Sequence, residues 1–284
     1  MLTLAIQKTG RLSEKTIKLL VEAGIEFENS SKTKLKTVAT NFPIQILYLR
    51  DDDIPECIAD RIADAGIIGE NVFAEKGRGL IIAEKLDFAR CRLSIAVPIQ
   101  MEYHSVKDLQ GLKIATSYPA ILGKFLQSKQ VEATIHEING SVEIAPGIGL
   151  ADAIMDIVNT GSTLLSNGLK EVEIILHSQA ILLQHPDLNP VKKSILDKLL
   201  FRIRAVNKSK NYKYILLNAP NDKLNSICKI LPGMKSPTIM PLAQSEWSSL
   251  HSVINEDDFW ENIESLKQAG AEGILVIPIE KMIM

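Results

Sequence analysis

Several features are scarce in this sequence, and each absence excludes a class of protein. Basic and acidic residues nearly cancel, and the net charge of -2 gives no general attraction to nucleic acid or to anionic lipid. The three cysteines (Cys57, Cys91 and Cys228) are an odd number with no close pair, which argues against a disulfide framework and against a zinc site. No apolar run approaches the length of a membrane span, and residues 1–6 lack the basic start of a signal peptide. We therefore expect a cytoplasmic protein with no nucleic-acid partner and no membrane partner.

The chain is long and apolar enough to form two or three α/β domains. Of its 284 residues, 46% are hydrophobic and 23% are charged, as in ordinary globular proteins. Strand, turn and helix patterns repeat from the start, with a crossing to a second series near residues 90–95 and a return strand over 174–183. We predict lobe I at 1–90 and 178–207, including a linker helix, and lobe II at 91–177. Two crossings between α/β lobes imply a cleft at the carboxyl ends of their strands.

The segment 151–169 carries the densest chemistry in the sequence. An apolar strand containing Asp152 and Asp156 runs into a glycine turn rich in hydroxyl groups, and a helical pattern follows through Leu169. Such a turn directs backbone N–H groups and hydroxyls at one point, where they favour an anion such as a phosphate monoester. The turn residues are Thr160, Gly161, Ser162 and Thr163. The alternative is that Thr160 or Ser162 only caps the helix. The two carboxylates upstream, suited to ribose hydroxyls or a metal, favour the phosphate interpretation.

Basic residues follow two strands of the predicted first lobe. Lys8 and Arg11 lie in the turn and first helical residues after the strand at 2–6, and Arg50 follows the strand at 44–49. These side chains either present cations to a polyphosphate or are ordinary solvated groups. Arg50, at a strand end, is a stronger functional candidate than the acids that follow it.

Three consecutive carboxylates come directly after Arg50. Asp51, Asp52 and Asp53 could bind Mg²⁺, but consecutive side chains diverge, and Pro55 fits the first turn of a helix. We therefore interpret Asp52 or Asp53 as an N-cap.

The last third of the chain changes its order of elements. The helix at 190–207 has a basic face without interleaved aromatic residues, which is typical of a solvated linker rather than a nucleic-acid patch. From residue 208 to 284 the pattern is β-α-β-β-α-β, with a turn at 232–233, which predicts a ferredoxin-like domain. By fold analogy, such an appended domain is a ligand sensor or an assembly surface.

Several motifs together resemble one family. They are QKTGRLS (7–13), RDDDIP (50–55), DAGIIGEN (64–71), RCRLS (90–94), KIATSYP (113–119), NGSVEIAP (139–146), ADAIMDIVNTGSTLLSNGL (151–169) and SPTIMPL (236–242). In this order, over essentially the whole chain, they resemble the ATP phosphoribosyltransferases in their long form, which has a C-terminal regulatory domain.

The resemblance implies a fold, a reaction and a set of partners. The fold is a two-lobed catalytic part similar to periplasmic binding proteins, followed by the ferredoxin-like domain. The reaction is the first step of histidine biosynthesis: with Mg²⁺, 5-phosphoribosyl 1-pyrophosphate (PRPP) and ATP give N1-(5-phosphoribosyl)-ATP and pyrophosphate. The family also implies feedback inhibition by histidine and assembly of homodimers into a homohexamer.

The same resemblance implies roles for individual residues. The turn at 160–163 matches the loop for the 5-phosphate, and Asp152 or Asp156 would face the ribose or Mg²⁺. Lys8, Arg11 and Arg50 are assigned to the pyrophosphate and to the ATP phosphates. Glu143 either binds nucleotide hydroxyls or is an ordinary surface carboxylate. The effector residues would be Asn218, Ser236 and Thr238; some relatives have an acid at position 218, so the asparagine keeps an acceptor but loses a charge.

A function from another class competes with the enzyme. Two lobes with a cleft also form solute-binding receptors that carry out no chemistry. The T-G-S-T turn and the C-terminal domain favour the enzyme.

Overall fold

The computed structural model describes residues 1–27, 35–231 and 233–283. The chain forms two compact units, unit 1 of residues 1–21 and 25–198, and unit 2 of residues 22–24 and 199–284. Within the described residues, no helix is both long enough and apolar enough to cross a membrane.

Unit 1 contains eleven strands among its described residues. In chain order they are β1 (Leu2–Gln7), β2 (Lys36–Val38), β3 (Ile44–Leu49), β4 (Ala65–Gly69), β5 (Ile81–Lys85), β6 (Cys91–Pro98), β7 (Lys113–Thr116), β8 (Thr134–Glu137), β9 (Ala153–Val158), β10 (Leu169–Ser178) and β11 (Ala180–Gln184). The α-helices that start in this unit are α1 (Arg11–Glu22), α2 (Ile54–Ala59), α3 (Glu70–Lys76), α4 (Pro119–Lys129), α5 (Ser162–Ser166) and α6 (Pro190–Ser209). Short 3₁₀ turns cover Asp51–Asp53, Val106–Leu109 and Val142–Ile144.

These strands form two separate sheets. The first has the order β2-β3-β1-β4-β11-β5 and the second has the order β10-β6-β9-β7-β8. We call the first sheet with α1, α2 and α3 the first lobe, and the second sheet with α4 and α5 the second lobe. The chain leaves the first sheet after β5 and returns to it with β11.

The parallel strands determine where the loops with candidate chemistry lie. In the first lobe β1 is parallel to both β3 and β4, and in the second lobe β7 is parallel to both β8 and β9. The loops after these strands therefore share one edge of each sheet.

The glycines around β4 allow close packing against this strand. A Cβ atom on Gly66 would lie 2.6 Å from Ile54 Cγ2, and a Cβ on Gly69 would lie 2.2 Å from Asn71 Oδ1. Residues 65–68 are buried, as expected of a central strand covered on both faces. Glycine at 66 and 69 allows α2 and the start of α3 to pack closely on this strand.

Two predicted boundaries around residue 170 are wrong. The helix after the glycine turn ends at Ser166, and Leu169 begins β10 instead of continuing the helix. β10 pairs antiparallel with β6 as far as Ser178, so residues 174–178 belong to the second sheet and only β11 returns to the first. In both stretches the spacing of the apolar residues fits a helix as well as a strand. Pairing with β6 decides which secondary structure forms.

Unit 2 contains a four-stranded antiparallel sheet. Its elements are β12 (Tyr212–Pro220), a 3₁₀ turn (Asn221–Lys223), α7 (Leu224–Ile230), β13 (Thr238–Pro241), β14 (Trp247–Asn255), α8 (Glu256–Gln268) and β15 (Glu272–Pro278). The sheet order is β13-β14-β12-β15, and each neighbouring pair is antiparallel. Alternate residues of β12 and β14 bury a core against α7 and α8: Ile215, Leu217, Leu250, Ile227, Phe259 and Leu266. The predicted ferredoxin-like domain is confirmed; Pro232, in the predicted turn at 232–233, lies outside the described residues.

Candidate active site

The turn after β9 has the open backbone that the sequence predicts. Gly161 has φ = +82°, a conformation that favours glycine, and the hydroxyls of Thr160 and Ser162 lie 3.0 Å apart. Within the described part of the chain, the backbone N–H groups of Gly161 and Ser162 have no hydrogen-bond acceptor. Because α5 has only five residues, the anion affinity of the turn rests on these N–H groups and hydroxyls more than on a helix dipole.

Asp156 is the carboxylate that lies near this turn. It is two residues before the end of β9, and burial, with a smaller contribution from the charge of Glu143, raises its pKa to about 6, although the N–H of Ile157 opposes the shift. Glu143 itself is half-buried in the 3₁₀ turn Val142–Ile144. Asp156 and Glu143 are therefore two carboxylates of the second lobe whose charges repel each other.

The structure does not bring Asp152 to the same place. Asp152 precedes β9, so it lies at the opposite end of the strand, about 13 Å from Asp156 at 3.3 Å per residue. Its carboxylate accepts a hydrogen bond of 2.8 Å from the backbone N–H of Lys113. This geometry argues against the expected role of Asp152 at the ribose or Mg²⁺ and leaves it a structural role at the start of β7.

Three basic side chains lie at the strand ends of the first lobe. Gln7 and Leu49 pair at the ends of β1 and β3, and the backbone N–H of Lys8 donates to Leu49 O at 2.8 Å, so Lys8 and Arg50 lie at one edge. Arg11 begins α1 on the same side of β1. All three side chains are exposed, and none forms an ion pair with the described residues. They are therefore available to an anion.

The predicted N-cap position before Pro55 is confirmed for Asp53, but its side chain makes no capping hydrogen bond. Asp53 occupies the N-cap position of α2 without a side-chain hydrogen bond to the helix, while Asp52 lies 3.3 Å from Lys76 Nζ. Asp51 is partly buried, and this burial, with the charge of Asp52, raises its pKa. Within the 3₁₀ turn Asp51–Asp53, the carboxylate of Asp51 accepts a hydrogen bond of 3.2 Å from the backbone N–H of Asp52.

A hydrogen-bonded contact that the sequence analysis missed joins the two lobes. Asn71, which is buried just after β4, donates from Nδ2 to the hydroxyl of Tyr118, just after β7, at 3.0 Å. Asn71 also exchanges hydrogen bonds with Ser178 at 2.9 and 3.0 Å. The motifs that contain these residues (64–71 and 113–119) are visible in the sequence, but nothing in their spacing indicates that they meet.

A second link between the lobes lies beside the first. Glu75 of α3 accepts hydrogen bonds from the backbone N–H groups of Ala120 and Ile121, at 2.8 and 2.9 Å, and so caps α4 from the other lobe. The loops after β4 and after β7 therefore face each other.

The hydroxyl of Tyr118 is affected by carboxylates of both lobes. Burial raises its pKa most; the hydrogen bond from Asn71 opposes the shift, and the charges of Asp156 and Asp51 add to it. The charges of one carboxylate from each lobe, Asp156 and Asp51, therefore both reach the hydroxyl of Tyr118.

Asp156 and Glu143 are the two carboxylates beside the phosphate turn to which a divalent cation could bind. Among the described residues no group of three or more His, Cys, Asp or Glu side chains could hold a metal ion. Mg²⁺ is often held by one or two carboxylates together with substrate phosphates. The negative charges of Glu143 and Asp156 repel each other, and a bound cation would neutralise them.

In unit 2 two of the three predicted effector residues line one depression. Ser236 and Thr238 lie there with Tyr214, Lys235 and His251. The hydroxyl of Tyr214 and Nδ1 of His251 are 2.8 Å apart. Asn218 pairs with Ser249 farther along β12 and does not line the depression.

Comparisons with known proteins identify the family. The family model described as ATP phosphoribosyltransferase matches residues 50–205, and the model for the C-terminal domain of the same family matches residues 209–281. The ATP phosphoribosyltransferase of Cytophaga hutchinsonii is 57% identical over 282 residues, 99% of this chain and 98% of that protein. The one from Azobacteroides pseudotrichonymphae is 56% identical over 100% of both chains. The chain belongs to the ATP phosphoribosyltransferase family.

Solved structures agree with this assignment. An ATP phosphoribosyltransferase (HisG:HisZ) complex from Thermotoga maritima is similar with a TM-score of 0.62 and 31% identity, covering 72% of this chain and 99% of that chain. Tv2483, bound to L-arginine, is 12% identical with a TM-score of 0.51 over 74% of this chain and 86% of its own, which shows a shared fold alone. The two-lobed part shares the fold of the Thermotoga maritima structure, and the C-terminal domain makes the chain a long-form member of the ATP phosphoribosyltransferases. It is an enzyme of the glycosyltransferase class that transfers a phosphoribosyl group.

Proposed function

We propose that the protein transfers the 5-phosphoribosyl group of PRPP to N1 of ATP and releases pyrophosphate, as the first step of histidine biosynthesis. The observation that carries the proposal is the turn at 160–163, which follows the strand bearing Asp156 and offers unpartnered N–H groups among the described residues. Family membership supplies the identity of the substrates. Both substrates are cytoplasmic metabolites, so we propose a cytoplasmic enzyme.

The 5-phosphate of PRPP would bind at Thr160–Thr163. The N–H groups and hydroxyls of this turn hold the anion without a formal charge of their own. Asp156 lies two residues before the end of β9, the strand that leads into this turn, and would accept hydrogen bonds from the ribose hydroxyls. Glu143 is the candidate to accept hydrogen bonds from the nucleotide hydroxyls. One strand end thus fixes both the phosphate and the sugar.

Mg²⁺ would be held by Asp156 and Glu143 together with oxygens of PRPP. When bound, it would neutralise negative charge on the diphosphate. Asp152 is left out of this proposal because of its place at the other end of β9. Ionised Asp156 is the form that accepts hydroxyl hydrogen bonds, so we expect substrate binding to weaken below about pH 6.

The basic residues of the first lobe would stabilise the departing pyrophosphate. Displacement at the anomeric carbon builds positive charge on the ribose and negative charge on the leaving group. Lys8, Arg11 and Arg50 are exposed and have no ion pair among the described residues, so their charge is available in the transition state. The two lobes would hold ATP and PRPP in the orientation that the reaction needs. No side chain needs to act as a nucleophile.

For unit 2 we propose regulation and assembly. Residues 208–284 would form the regulatory domain, with histidine as a feedback inhibitor at Ser236 and Thr238, and would take part in assembling homodimers into a homohexamer. The depression beside Tyr214 and His251 supports the position of the effector site. Asn218 stays a candidate only through the family pattern.

The proposed activity is tested by incubating the purified protein with ATP, PRPP and Mg²⁺ and separating the products by chromatography. We expect phosphoribosyl-ATP and pyrophosphate in equal amounts. Absence of product, together with binding of a free amino acid in the cleft, would instead support a solute-binding receptor.

A further inference from the structure

A network of three side chains crosses the strands beside the phosphate turn. Arg92 of β6 donates from Nε and Nη2 to the two carboxylate oxygens of Glu171 on β10, at 2.5 Å each. Ser94 donates from Oγ to Glu171 Oε1 at 2.6 Å. The planar guanidinium fork matches a carboxylate in this way, so the side chain of Arg92 has a fixed orientation.

The same guanidinium reaches the start of the phosphate turn. Nη1 of Arg92 donates a hydrogen bond of 3.0 Å to the backbone carbonyl of Asn159, the residue between β9 and Thr160. Arg92 lies opposite Val158 in the antiparallel pairing of β6 with β9. Its side chain therefore extends past the end of the β-ladder and holds the first carbonyl beyond it.

This bond controls the orientation of the next N–H group. A trans peptide is planar, and its C=O and N–H groups point in opposite directions. When Arg92 holds the carbonyl of Asn159, the N–H of Thr160 must point to the other side of the chain. We propose that Arg92, oriented by Glu171 and Ser94, is a positioning residue that presents the N–H groups of the turn to the 5-phosphate before PRPP binds; the identity of this ligand rests on the proposed function.

The geometry distinguishes this role from that of a phosphate ligand. Three N–H groups of Arg92 are used by Glu171 and Asn159, and the carboxylate neutralises the guanidinium charge. The hydrogen bonds from Arg92 in turn lower the pKa of Glu171, so the pair stays ionised. Lys8 and Arg50, by contrast, have no such partner among the described residues.

The first test uses Arg92→Lys, which keeps the charge but loses the fork. Hydrogen–deuterium exchange of the ligand-free protein should show a faster exchange, by about tenfold, in peptides covering 159–168. The amides that report it are those of Leu165 and Asn167, which donate to the carbonyls of Gly161 and Thr163 and lose protection when the turn is released. Arg90→Lys is the matched control, since Arg90 pairs with Asp87 on the surface and is not hydrogen-bonded to the turn. It should leave exchange in this peptide unchanged.

Kinetics supply a second readout. The 5-phosphate is remote from the reacting carbon and is held equally in the ground state and the transition state, so its loss acts on KM. For Arg92→Lys we expect the KM for PRPP to rise about tenfold, with the KM for ATP and kcat changed less than twofold. Glu171→Gln should resemble Arg92→Lys, and the double variant should add little to either, because both changes disturb one network.

The outcomes separate this inference from the function on which it rests. Turn amides that exchange in Arg92→Lys and Glu171→Gln as in the wild type, with an unchanged KM for PRPP, would overturn the positioning role while the enzyme remains active. A wild-type protein that does not turn over PRPP, but whose turn amides still respond to Arg92→Lys, would overturn the proposed ligand and leave the positioning of the turn intact.

Discussion

The side-chain amide of Asn71 donates a hydrogen bond of 3.0 Å to the hydroxyl of Tyr118, and this bond joins the two lobes at the ends of their parallel strands. Asn71 follows β4 of the first lobe, and Tyr118 follows β7 of the second. The contact is polar and buried on the side of Asn71, whose remaining hydrogen bonds go to Ser178. The relative position of the lobes therefore depends on a few hydrogen bonds as well as on apolar packing.

We expect Tyr118→Phe to lower the free energy of unfolding by about 1–3 kcal/mol, because it leaves the buried amide of Asn71 without its acceptor. Urea denaturation followed by circular dichroism measures this change. Tyr103→Phe is the matched control, since it removes the hydrogen bond of Tyr103 to Glu173 at 2.9 Å within the second lobe. That partner is reachable by water, so its loss should cost less; equal losses in the two variants would contradict the buried character of the Asn71 contact.

Asp156→Asn should stabilise the ligand-free protein at neutral pH. The pKa of Asp156 is raised in the folded state to about 6 from 3.8, so the folded state binds its proton more tightly than the unfolded state. Stability from this group is present below about pH 4 and is lost as the pH rises to about 6. Removing the charge should therefore raise the free energy of unfolding at pH 7.5 by about 1–3 kcal/mol.

The comparison of two pH values tests this explanation of the Asp156 variant. The stabilisation should shrink at pH 4, while transferase activity should be lost at every pH because the asparagine has no carboxylate for the ribose. Asp152→Asn is the control, because its amide oxygen still accepts the N–H of Lys113 and its position is remote from the turn. Stabilisation by Asp156→Asn that is independent of pH would show that burial of the charge is not its cause.

Much of the fold could be predicted from the sequence, since the apolar periodicity marks β1, β3, β4 and β9 within a few residues. The stretch 169–178 could not, because its apolar residues suit a helix, a return strand or an edge strand equally, and pairing with β6 decides. The ferredoxin-like domain was predictable because each of its strands and helices has one apolar face. These faces pack together in a small core.

For the candidate site, too, the sequence reveals residues that are contiguous in the chain and not those that act through distant partners. The turn at 160–163 is visible because its chemistry is contiguous in the chain. Arg92, Asn71 and Tyr118 are not visible, since each acts through a partner more than 40 positions away. Asp152 shows that closeness in the chain can mislead. It lies just before the strand that contains Asp156, but at the opposite end of that strand from the turn.

Gly161→Ala should weaken the binding of PRPP while the protein stays folded. The φ of +82° at this position costs an alanine roughly 1–2 kcal/mol, and the strain relaxes by distorting the turn that would hold the 5-phosphate. Gly111→Ala is matched in backbone strain, with φ = +78° and open space around a Cβ atom, but it lies before β7. Steady-state assays should show a KM for PRPP raised at least tenfold in the first variant and unchanged in the second; equal effects would place the phosphate elsewhere.

Arg50→Ala should lower kcat/KM by about 10²–10³, the usual effect of removing a group that stabilises charge in the transition state. Arg61→Ala is the comparison, since this exposed arginine pairs only with exposed Asp187 at 3.0 Å among the described residues. It should leave the rate within twofold. A normal rate for Arg50→Ala would remove Arg50 from the proposed pyrophosphate site.

Ser236→Ala should raise the histidine concentration needed for half-inhibition about tenfold, since one hydrogen bond to the effector is lost. Uninhibited turnover should not change, because Ser236 lies in unit 2. Ser226→Ala, at a hydroxyl bonded to Lys223 O on α7, should alter neither quantity. Inhibition that is identical in both variants and the wild type would place the effector outside this depression.

The most direct measurement is a crystal structure of the protein with PRPP and Mg²⁺. We expect the 5-phosphate within hydrogen-bond distance of the backbone N–H groups of Thr160, Gly161 and Ser162, with the ribose hydroxyls at Asp156 and the Asn159 carbonyl still bound to Arg92. A 5-phosphate bound instead by Lys8 and Arg50, with the turn at 160–163 empty, would contradict it.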